Sequence, residues 1–328
     1  MLPEPEMEES VIRNASYLKM GIPSTLFSVK SLLFAAAASL LYFAISFFLI
    51  GFKTDQLVLV AIFNFFYFAS KATRRFIIGF SIFIAYWIIF DYMKAFPNYR
   101  YNDVHIASLY HMEKSFFGIH WNNVFLTPNE FFAHNTATSL DILSGIFYLC
   151  WVPVPLAFAA AMFFRNRTAF FQFSLTFLLV NLLGFAGYYL YPAAPPWYVA
   201  QYGFSFHPGT PGNTAGLARF DNFFGISVFK GIYAKSSNVF AAMPSLHAAY
   251  MMIVLFYGVK FRLGFWNILF AIIMLGIWFS AIYSGHHYVL DILAGILCAV
   301  LGIIVFQVWL KTTTGGKFME TLHFLTAE

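Results

Sequence analysis

Apolar residues in this chain gather in long blocks, and short polar or basic stretches separate the blocks. A helix needs about 20 apolar residues to cross the hydrocarbon core of a bilayer. The blocks that reach or approach this length are 31–51, 56–70, 75–93, 141–164, 168–191, 245–260, 264–283 and 286–310. The pattern therefore predicts an all-α fold, a polytopic membrane helix bundle of about eight spans, with residues 1–328 in a single integral membrane domain.

The basic residues between the blocks orient the predicted bundle, because Lys and Arg concentrate on the cytoplasmic side of membrane proteins. With the segment 1–30 in the cytoplasm, the inner side carries twelve of them: Arg13, Lys19, Lys30, Lys71, Arg74, Arg75, Arg165, Arg167, Lys260, Arg262, Lys311 and Lys317. The outer side carries seven: Lys53, Lys94, Arg100, Lys114, Arg219, Lys230 and Lys235. Both termini are therefore predicted to face the cytoplasm.

The composition agrees with a membrane protein and argues against other classes. The chain is 60% hydrophobic and 10% charged, whereas soluble domains carry about 25% charged residues. The net charge of +5 comes from basic residues spread between apolar blocks, so it does not predict a nucleic-acid partner. Cys150 and Cys298 lie within apolar blocks and are expected to be buried thiols.

Two long connections, 94–140 and 192–244, fall on the predicted outer side. Mixed apolar and polar spacing over 104–117 favours a helix that lies in the membrane interface. The connection 192–244 carries Arg219 and Lys235 and ends on a Pro-Ser-Leu-His motif. Connections of this length usually carry function.

Two histidine motifs supply the candidate chemistry. His247 and His287 each stand at the start of an apolar block, and the chain crosses the membrane twice between them, so both are predicted at the outer face. Asp291 follows His287 by four residues, so the two would share a helix face and the carboxylate could orient the imidazole. Ser245 and Ser284 are expected to cap helices whose N-termini favour a phosphate.

These positions predict a phosphoryl-transfer site with divided roles. His287, oriented by Asp291, is the expected nucleophile, and His247 is the expected acid and base. Arg219 and Lys235 are the outer cations best placed to bind phosphate, although both could instead anchor their loop at lipid headgroups. His286 is expected to be a neighbour of the site, because the residue four positions on is Leu290.

Two other interpretations of the histidines stay open. His247, His287 and Asp291 could imitate a metal site of two histidines and one carboxylate. The histidines could also form a proton relay in a transporter, although the ionisable groups gather at one face instead of the bilayer midplane. The favoured interpretation requires no metal and no cofactor.

The motifs resemble those of the type 2 phosphatidic acid phosphatase superfamily, Pro-Ser-x-His and Ser-Arg-x5-His-x3-Asp. Pro244, Ser245 and His247 match the first of these, and Ser280, His287 and Asp291 match the second. Three cationic positions of the superfamily are replaced: Ala281 stands for an Arg, and Gly184 and Tyr191 stand for the Lys and Arg of a further motif, Lys-x6-Arg-Pro. The usual phosphate clamp is therefore missing.

The sequence also resembles the inositol phosphorylceramide synthase branch of this superfamily. The likeness rests on the segments 191–198, 215–221, 243–247 and 286–288, the first of which contains Trp197 and Tyr198. The resemblance implies a six-helix phosphatase-type catalytic core, which we assign to residues 141–310. It also carries over His287 as nucleophile, Asp291 as its partner and His247 as acid and base.

What the resemblance implies for function is transfer of phosphoinositol from phosphatidylinositol to ceramide, with release of diacylglycerol and without a metal. Trp197, Tyr198, Arg219, Lys235, Ser245 and Ser284 are the predicted substrate-binding residues. The alternative is a phosphatase that hydrolyses phosphatidic acid or an isoprenoid phosphate or diphosphate at the same site. The active site would face the periplasm, the cell exterior or the Golgi lumen, and the sequence does not identify an accessory subunit.

Overall fold

The computed structural model describes residues 26–235 and 238–327. Residues 1–25, which make up most of the predicted cytoplasmic segment and include Arg13 and Lys19, lie outside this description. The described chain divides into two compact units, one of residues 26–95, 162–172 and 307–327 and one of residues 96–161 and 173–306. The prediction of one domain over 1–328 remains a prediction.

The first unit begins with three apolar helices: α1 (Val29–Ile50), α2 (Thr54–Ala69) and α3 (Lys71–Tyr92). Serine side chains start two of them, because Ser28 accepts from the Ser31 N–H and Ser70 accepts from the Thr73 N–H at 3.1 Å each. Side-chain oxygens of this kind satisfy the unpaired donors of a first helical turn.

The second unit contains short elements and two long helices: α4 (Ala107–Phe117), β1 (Ile119–Trp121), β2 (Val124–Leu126), α5 (Pro128–His134), α6 (Thr138–Leu149), α9 (Pro196–Tyr202), α10 (Ala218–Phe224), α11 (Val228–Tyr233), α12 (Leu246–Lys260) and α13 (Trp266–Tyr283). Three more helices have residues in both units: α7 (Pro153–Arg165), α8 (Arg167–Leu190) and α14 (Val289–Leu310). The last helix, α15 (Thr313–Thr326), packs on α3 in the first unit.

Helix lengths and compositions confirm the predicted membrane bundle. Within residues 26–235 and 238–327, six helical stretches are long and apolar enough to cross a bilayer: Val29–Ile50, Lys71–Ala95, Thr138–Arg165, Arg167–Leu190, Trp266–Tyr283 and Val289–Leu310. Two shorter apolar helices, α2 and α12, correspond to the two short blocks of the sequence. Each of the eight predicted spans therefore has a helical counterpart, and the chain is an all-α, multi-pass integral membrane protein.

Three features of the fold differ from the sequence prediction. The fourth span consists of two helices, α6 and α7, because Pro153 lacks the N–H that would continue α6. Strands β1 and β2 form a hairpin inside the connection 94–140, and its two turn residues, Asn122 and Asn123, have φ of 46° and 60°. Asparagine tolerates this left-handed conformation. The eighth span begins at Val289 and not at residue 286.

Candidate active site

The two motif histidines meet side by side in the structure. His247 Nδ1 lies 3.0 Å from His287 Nε2. His247 is the second residue of α12, and His287 lies two residues before α14 begins. The residues that the sequence assigned to one face are therefore within hydrogen-bond reach of each other.

The start of α12 is locked to the first turn of α14. Ser245 caps α12 as predicted, with its hydroxyl accepting from the Ala248 N–H at 3.4 Å. The Ser245 N–H donates to the Asp291 carbonyl at 2.8 Å. Gly295, one turn further along α14, permits this approach, because a side chain there would collide with the Ser245 carbonyl. These backbone contacts hold the elements that carry His247 and Asp291 close together.

A backbone carbonyl fixes the tautomer of His287. Its Nδ1–H donates to the Ala242 carbonyl at 3.0 Å, whereas the Asp291 Oδ2 atom is 3.5 Å from the same nitrogen. Because a carbonyl only accepts, Nδ1 carries the proton and Nε2 presents its lone pair to His247.

The prediction that His287 and Asp291 share a face of one helix is wrong, since His287 precedes α14. Asp291 is fully buried and accepts from the Tyr288 N–H at 2.8 Å. Its carboxylate therefore shapes the segment that carries His287 and also lies near the imidazole.

The expectation that Ser284 caps a helix N-terminus is also wrong. Ser284 follows the last residue of α13, and Gly285, with φ of 75°, turns the chain away from that helix. The N–H groups of His286 and His287 then donate to the Ala281 carbonyl at 3.0 Å each. This turn delays the start of α14 to Val289 and places the His287 ring beside His247.

His286 makes structural contacts next to this pair. Its Nε2–H donates to the Thr214 carbonyl at 2.9 Å, and its ring stacks on Tyr233 with 4.3 Å between centroids. Burial, with a smaller contribution from His287, lowers the pKa of His286 to about 3. The ring is therefore neutral at physiological pH, in agreement with the expectation that His286 is a neighbour of the site.

Aromatic rings enclose the half-buried His247. The Trp151 ring meets it edge-on at 4.4 Å, and the Tyr148 ring lies 5.2 Å away. The Trp278 indole N–H, on α13, donates at 3.0 Å to the carbonyl of Ala248, the residue after His247 on α12. The sequence interpretation treated these aromatic residues as lipid-facing or packing residues, because no motif distinguishes them from the many others.

The predicted phosphate-binding cations differ in their surroundings. Arg219 Nε pairs with Asp141 Oδ1 at 2.5 Å, and its guanidinium lies over the Tyr283 ring at 5.0 Å. Sequence reasoning missed Asp141, because it stands 78 residues away in the first turn of α6. Lys235 is exposed in the turn after α11.

Three of the predicted substrate-binding residues line one cavity of about 530 Å³, namely Trp197, Arg219 and Ser284. Neither His247 nor His287 lines it, but Gly285 and Tyr288, on either side of the histidine segment, do. The Arg219 Nη2 and Ser284 Oγ atoms are buried and have no hydrogen-bond partner among residues 26–235 and 238–327. Buried polar atoms normally have partners, so this wall of the cavity has unused capacity for hydrogen bonds.

Tyr198, in contrast, lies away from the cavity. It is fully buried, its hydroxyl donates to the Ser205 carbonyl, and that hydroxyl accepts from the His207 N–H, each at 2.8 Å. These contacts give it a part in folding its own loop.

The three replaced cationic positions are occupied by packing contacts. Gly184 packs directly against the Leu246 side chain, and the Tyr191 ring stacks on His105 with 3.8 Å between centroids. Ala281 is 1% exposed within a cluster that includes Tyr148. The close packing at Gly184 and Ala281 leaves no room for the long cation that the resemblance would place there, and the tyrosine ring itself fills the third position.

Comparison with known proteins places the chain in the superfamily whose motifs its sequence resembles. The model of the PAP2 superfamily matches residues 107–305, which is more than half of the chain. The phosphoinositol dihydroceramide synthase of Bacteroides thetaiotaomicron is 46% identical over 270 residues, which cover 82% of this chain and 88% of that protein. No solved structure matches the chain.

Two fungal proteins are similar over a smaller part of their length. The inositol phosphorylceramide synthase of Candida albicans is 35% identical over 60% of this chain and 40% of its own length. The inositol phosphorylceramide synthase catalytic subunit AUR1 of Saccharomyces cerevisiae is 30% identical over 73% of this chain and 58% of its own length. This chain thus spans about half of each fungal relative.

Proposed function

This chain belongs to the PAP2 superfamily, and on that premise we propose that it transfers phosphoinositol from phosphatidylinositol to a ceramide-type lipid. The observation that carries the proposal is the 46% identity to a phosphoinositol dihydroceramide synthase over most of both chains. The paired histidines supply chemistry that fits, because a histidine nucleophile divides the transfer into two displacements at phosphorus.

In the first displacement, His287 Nε2 attacks the phosphorus of phosphatidylinositol and the bond to the diacylglycerol oxygen breaks. The proton on Nδ1, held by the Ala242 carbonyl, leaves Nε2 unprotonated, and in the attack its lone pair turns from His247 Nδ1, 3.0 Å away, to the phosphorus. His247 acts as the general acid of this step and gives a proton to the departing alkoxide, which leaves it neutral. Diacylglycerol leaves, and phosphoinositol remains bonded to His287.

In the second displacement, neutral His247 takes the proton of the ceramide hydroxyl as that oxygen attacks the phosphohistidine. The bond from phosphorus to Nε2 breaks, and His287 returns to its starting form. Trp151 and Tyr148 beside His247 help to exclude water, which would otherwise turn the enzyme into a phosphatase.

We assign the cavity beside the segment 284–288 to the inositol headgroup. It brings the cation Arg219 together with hydrogen-bonding side chains such as Ser284, Asn213 and Gln201, which suits a ring of hydroxyl groups next to a phosphate. Because Asp141 holds Arg219, the guanidinium is already oriented for a ligand. Trp197 contributes an apolar wall, while Lys235 and Ser245 stay outside the cavity's lining.

The active site is assigned to the outer face of the membrane, because the basic residues favour cytoplasmic termini. Apolar helices α12 and α13 separate His247 from His287 in the chain, which returns both residues to one side. Phosphatidylinositol and ceramide would then meet at the periplasmic, extracellular or lumenal leaflet.

The direct test uses purified protein in vesicles with inositol-labelled phosphatidylinositol and ceramide. We expect labelled inositol phosphorylceramide to form only when ceramide is present, and His287→Ala to form none. Release of labelled water-soluble inositol phosphate at the same rate without ceramide would instead identify a hydrolase. Phosphate release from phosphatidic acid in preference to transfer would identify the phosphatase alternative.

A further inference from the structure

Glu113 on helix α4 reaches the start of the helix that carries Asp291. Its side chain is fully buried. One carboxylate oxygen accepts from the Val289 N–H at 2.9 Å, and the other accepts from the Leu290 N–H at 3.1 Å. These N–H groups belong to the first two residues of α14, so Glu113 caps this helix from a position 176 residues away.

A carboxylate at this position stabilises the N-terminus of α14 in two ways. The first N–H groups of a helix have no partner within it, and the helix dipole places partial positive charge there. A carboxylate satisfies two of these donors and complements the dipole. Ser284, the residue that the sequence indicated as the cap, ends α13 instead.

Helix α4 is shaped to hold this carboxylate. Leu109 and Glu113, four residues apart, form its buried face, whereas Met112 and Phe116 are 42% and 71% exposed. The buried face therefore directs Glu113 at α14, while the apolar exposed side chains suit the membrane interface that the sequence predicted for this helix.

A short chain of contacts joins Glu113 to the reacting groups. Glu113 fixes Val289 and Leu290, and the next residue, Asp291, accepts from the Tyr288 N–H and through its carbonyl from the Ser245 N–H. His287 directly precedes Tyr288 in the chain, and His247 follows Ser245 by two residues. Displacement of the α14 start would therefore move both histidines relative to each other.

We infer that Glu113 is a positioning residue for the transfer reaction. Its carboxylate sets the start of α14, and the start of α14 in turn aligns His287, Asp291 and His247. The inference rests on the proposed function for its kinetic consequence, although the capping contact is independent of it. A displacement of about 1 Å in a catalytic group costs on the order of 100-fold in rate.

The kinetic test compares Glu113→Gln and Glu113→Ala with the control Asp103→Asn, an exposed acid upstream of α4. Glu113→Gln retains one acceptor oxygen, so we expect kcat to fall about tenfold, and about 100-fold in Glu113→Ala. KM for both lipids should stay within about twofold, because alignment is lost and not lipid binding. Asp103→Asn should match the unaltered protein. A folded Glu113→Ala with normal kcat, or a change confined to KM, would overturn the inference.

Hydrogen exchange tests the contact without reference to any reaction. In Glu113→Gln, which preserves the volume of the side chain, the amides of Val289 and Leu290 should exchange about tenfold faster than in the Asp103→Asn control. Unchanged exchange would overturn the inference. If the unaltered protein forms no inositol phosphorylceramide, the proposed function fails, and the exchange result still decides the role of Glu113.

Discussion

At the scale of single residues, the two histidines are expected to fail in different ways. His287→Ala removes the nucleophile, so it should abolish both transfer and the covalent phosphohistidine. His247→Ala leaves the nucleophile but removes the acid and base, so transfer should fall by about a hundred- to ten-thousandfold. Labelled phosphatidylinositol followed by rapid quenching separates the two steps. Full activity in a folded His287→Ala protein would favour a role other than nucleophile.

Asp291→Asn should be milder than His287→Ala. The Ala242 carbonyl already holds the Nδ1 proton of His287, and an asparagine oxygen could still accept from the Tyr288 N–H. We expect kcat to fall about ten- to 100-fold, the effect typical of a partner that orients a catalytic group. A loss equal to that of His287→Ala, measured in the same transfer assay, would mean that the carboxylate charge itself is essential.

Glu113 should make stability depend on pH with a definite sign. Burial raises its pKa from 4.5 to about 7, against the N–H groups of Val289 and Leu290, which lower the pKa. Between pH 4.5 and about 7 the folded state therefore keeps a proton that the unfolded state releases, and Glu113 caps α14 as a carboxylate above this interval. The resulting stability is present below pH 4.5 and is lost as the pH rises through 7.

Thermal unfolding of the protein and of Glu113→Gln at several pH values measures this effect. The Tm of the unaltered protein minus that of Glu113→Gln should decrease from pH 4.5 to about 7 and stay constant above it. An increase over the same interval would mean that the two capping N–H groups dominate over burial, and that the carboxylate is ionised throughout.

The histidines and Asp291 could be predicted from the sequence, because their spacing within two short motifs marks them. Their partners could not. Ala242 acts through its carbonyl, which carries no side-chain signal, and Asp141 and Glu113 are brought in from 78 and 176 residues away. Contacts of this kind form when distant parts of the chain pack together, and no local pattern in a single sequence shows which residues they join.

At the scale of helices, hydropathy predicted the existence of every span but not where each helix starts. Residues 286–288 are uncharged, so they extend the apolar block, yet Gly285 and the Ala281 carbonyl hold them in a turn. The difference of three residues matters, because it removes His287 from α14. Helix starts depend on partners for the first N–H groups, and here that partner is Glu113.

The replaced arginine position yields a prediction at the level of helix packing. Ala281→Arg would restore the residue expected from the superfamily motif, but Ala281 is 1% exposed and packs in a cluster with Tyr148, Leu217 and Phe220. An unpaired buried charge costs several kcal/mol, so the variant should aggregate or unfold. Size-exclusion chromatography and Tm measure this, with Ala234→Arg, at an exposed alanine, as the control. A stable Ala281→Arg protein would show that the site can accommodate a phosphate clamp.

At the scale of the whole molecule, the sequence could not reveal the two compact units. The chain passes between them inside helices α7, α8 and α14, so no polar linker or change of composition marks a boundary.

The charge count that orients the bundle treats every basic residue alike, whereas the structure distinguishes buried basic residues from exposed ones. Arg74, counted as an inner charge, is 3% exposed, and its guanidinium lies 4.4 Å from the centre of the Tyr67 ring. The orientation of the bundle therefore rests on the remaining basic residues at helix ends.

That orientation is testable with single cysteines in right-side-out vesicles. Asp103 and Lys311 are both exposed, and the sequence assigns them to opposite faces. With Cys150 and Cys298 replaced by serine, a membrane-impermeant thiol reagent should label Asp103→Cys in sealed vesicles and Lys311→Cys only after permeabilisation. The reverse pattern would put His247 and His287 on the cytoplasmic side, and the lipid substrates would then have to be drawn from the inner leaflet. Labelling of both without permeabilisation would mean that the number of crossings between residues 103 and 311 differs from the five that we assign.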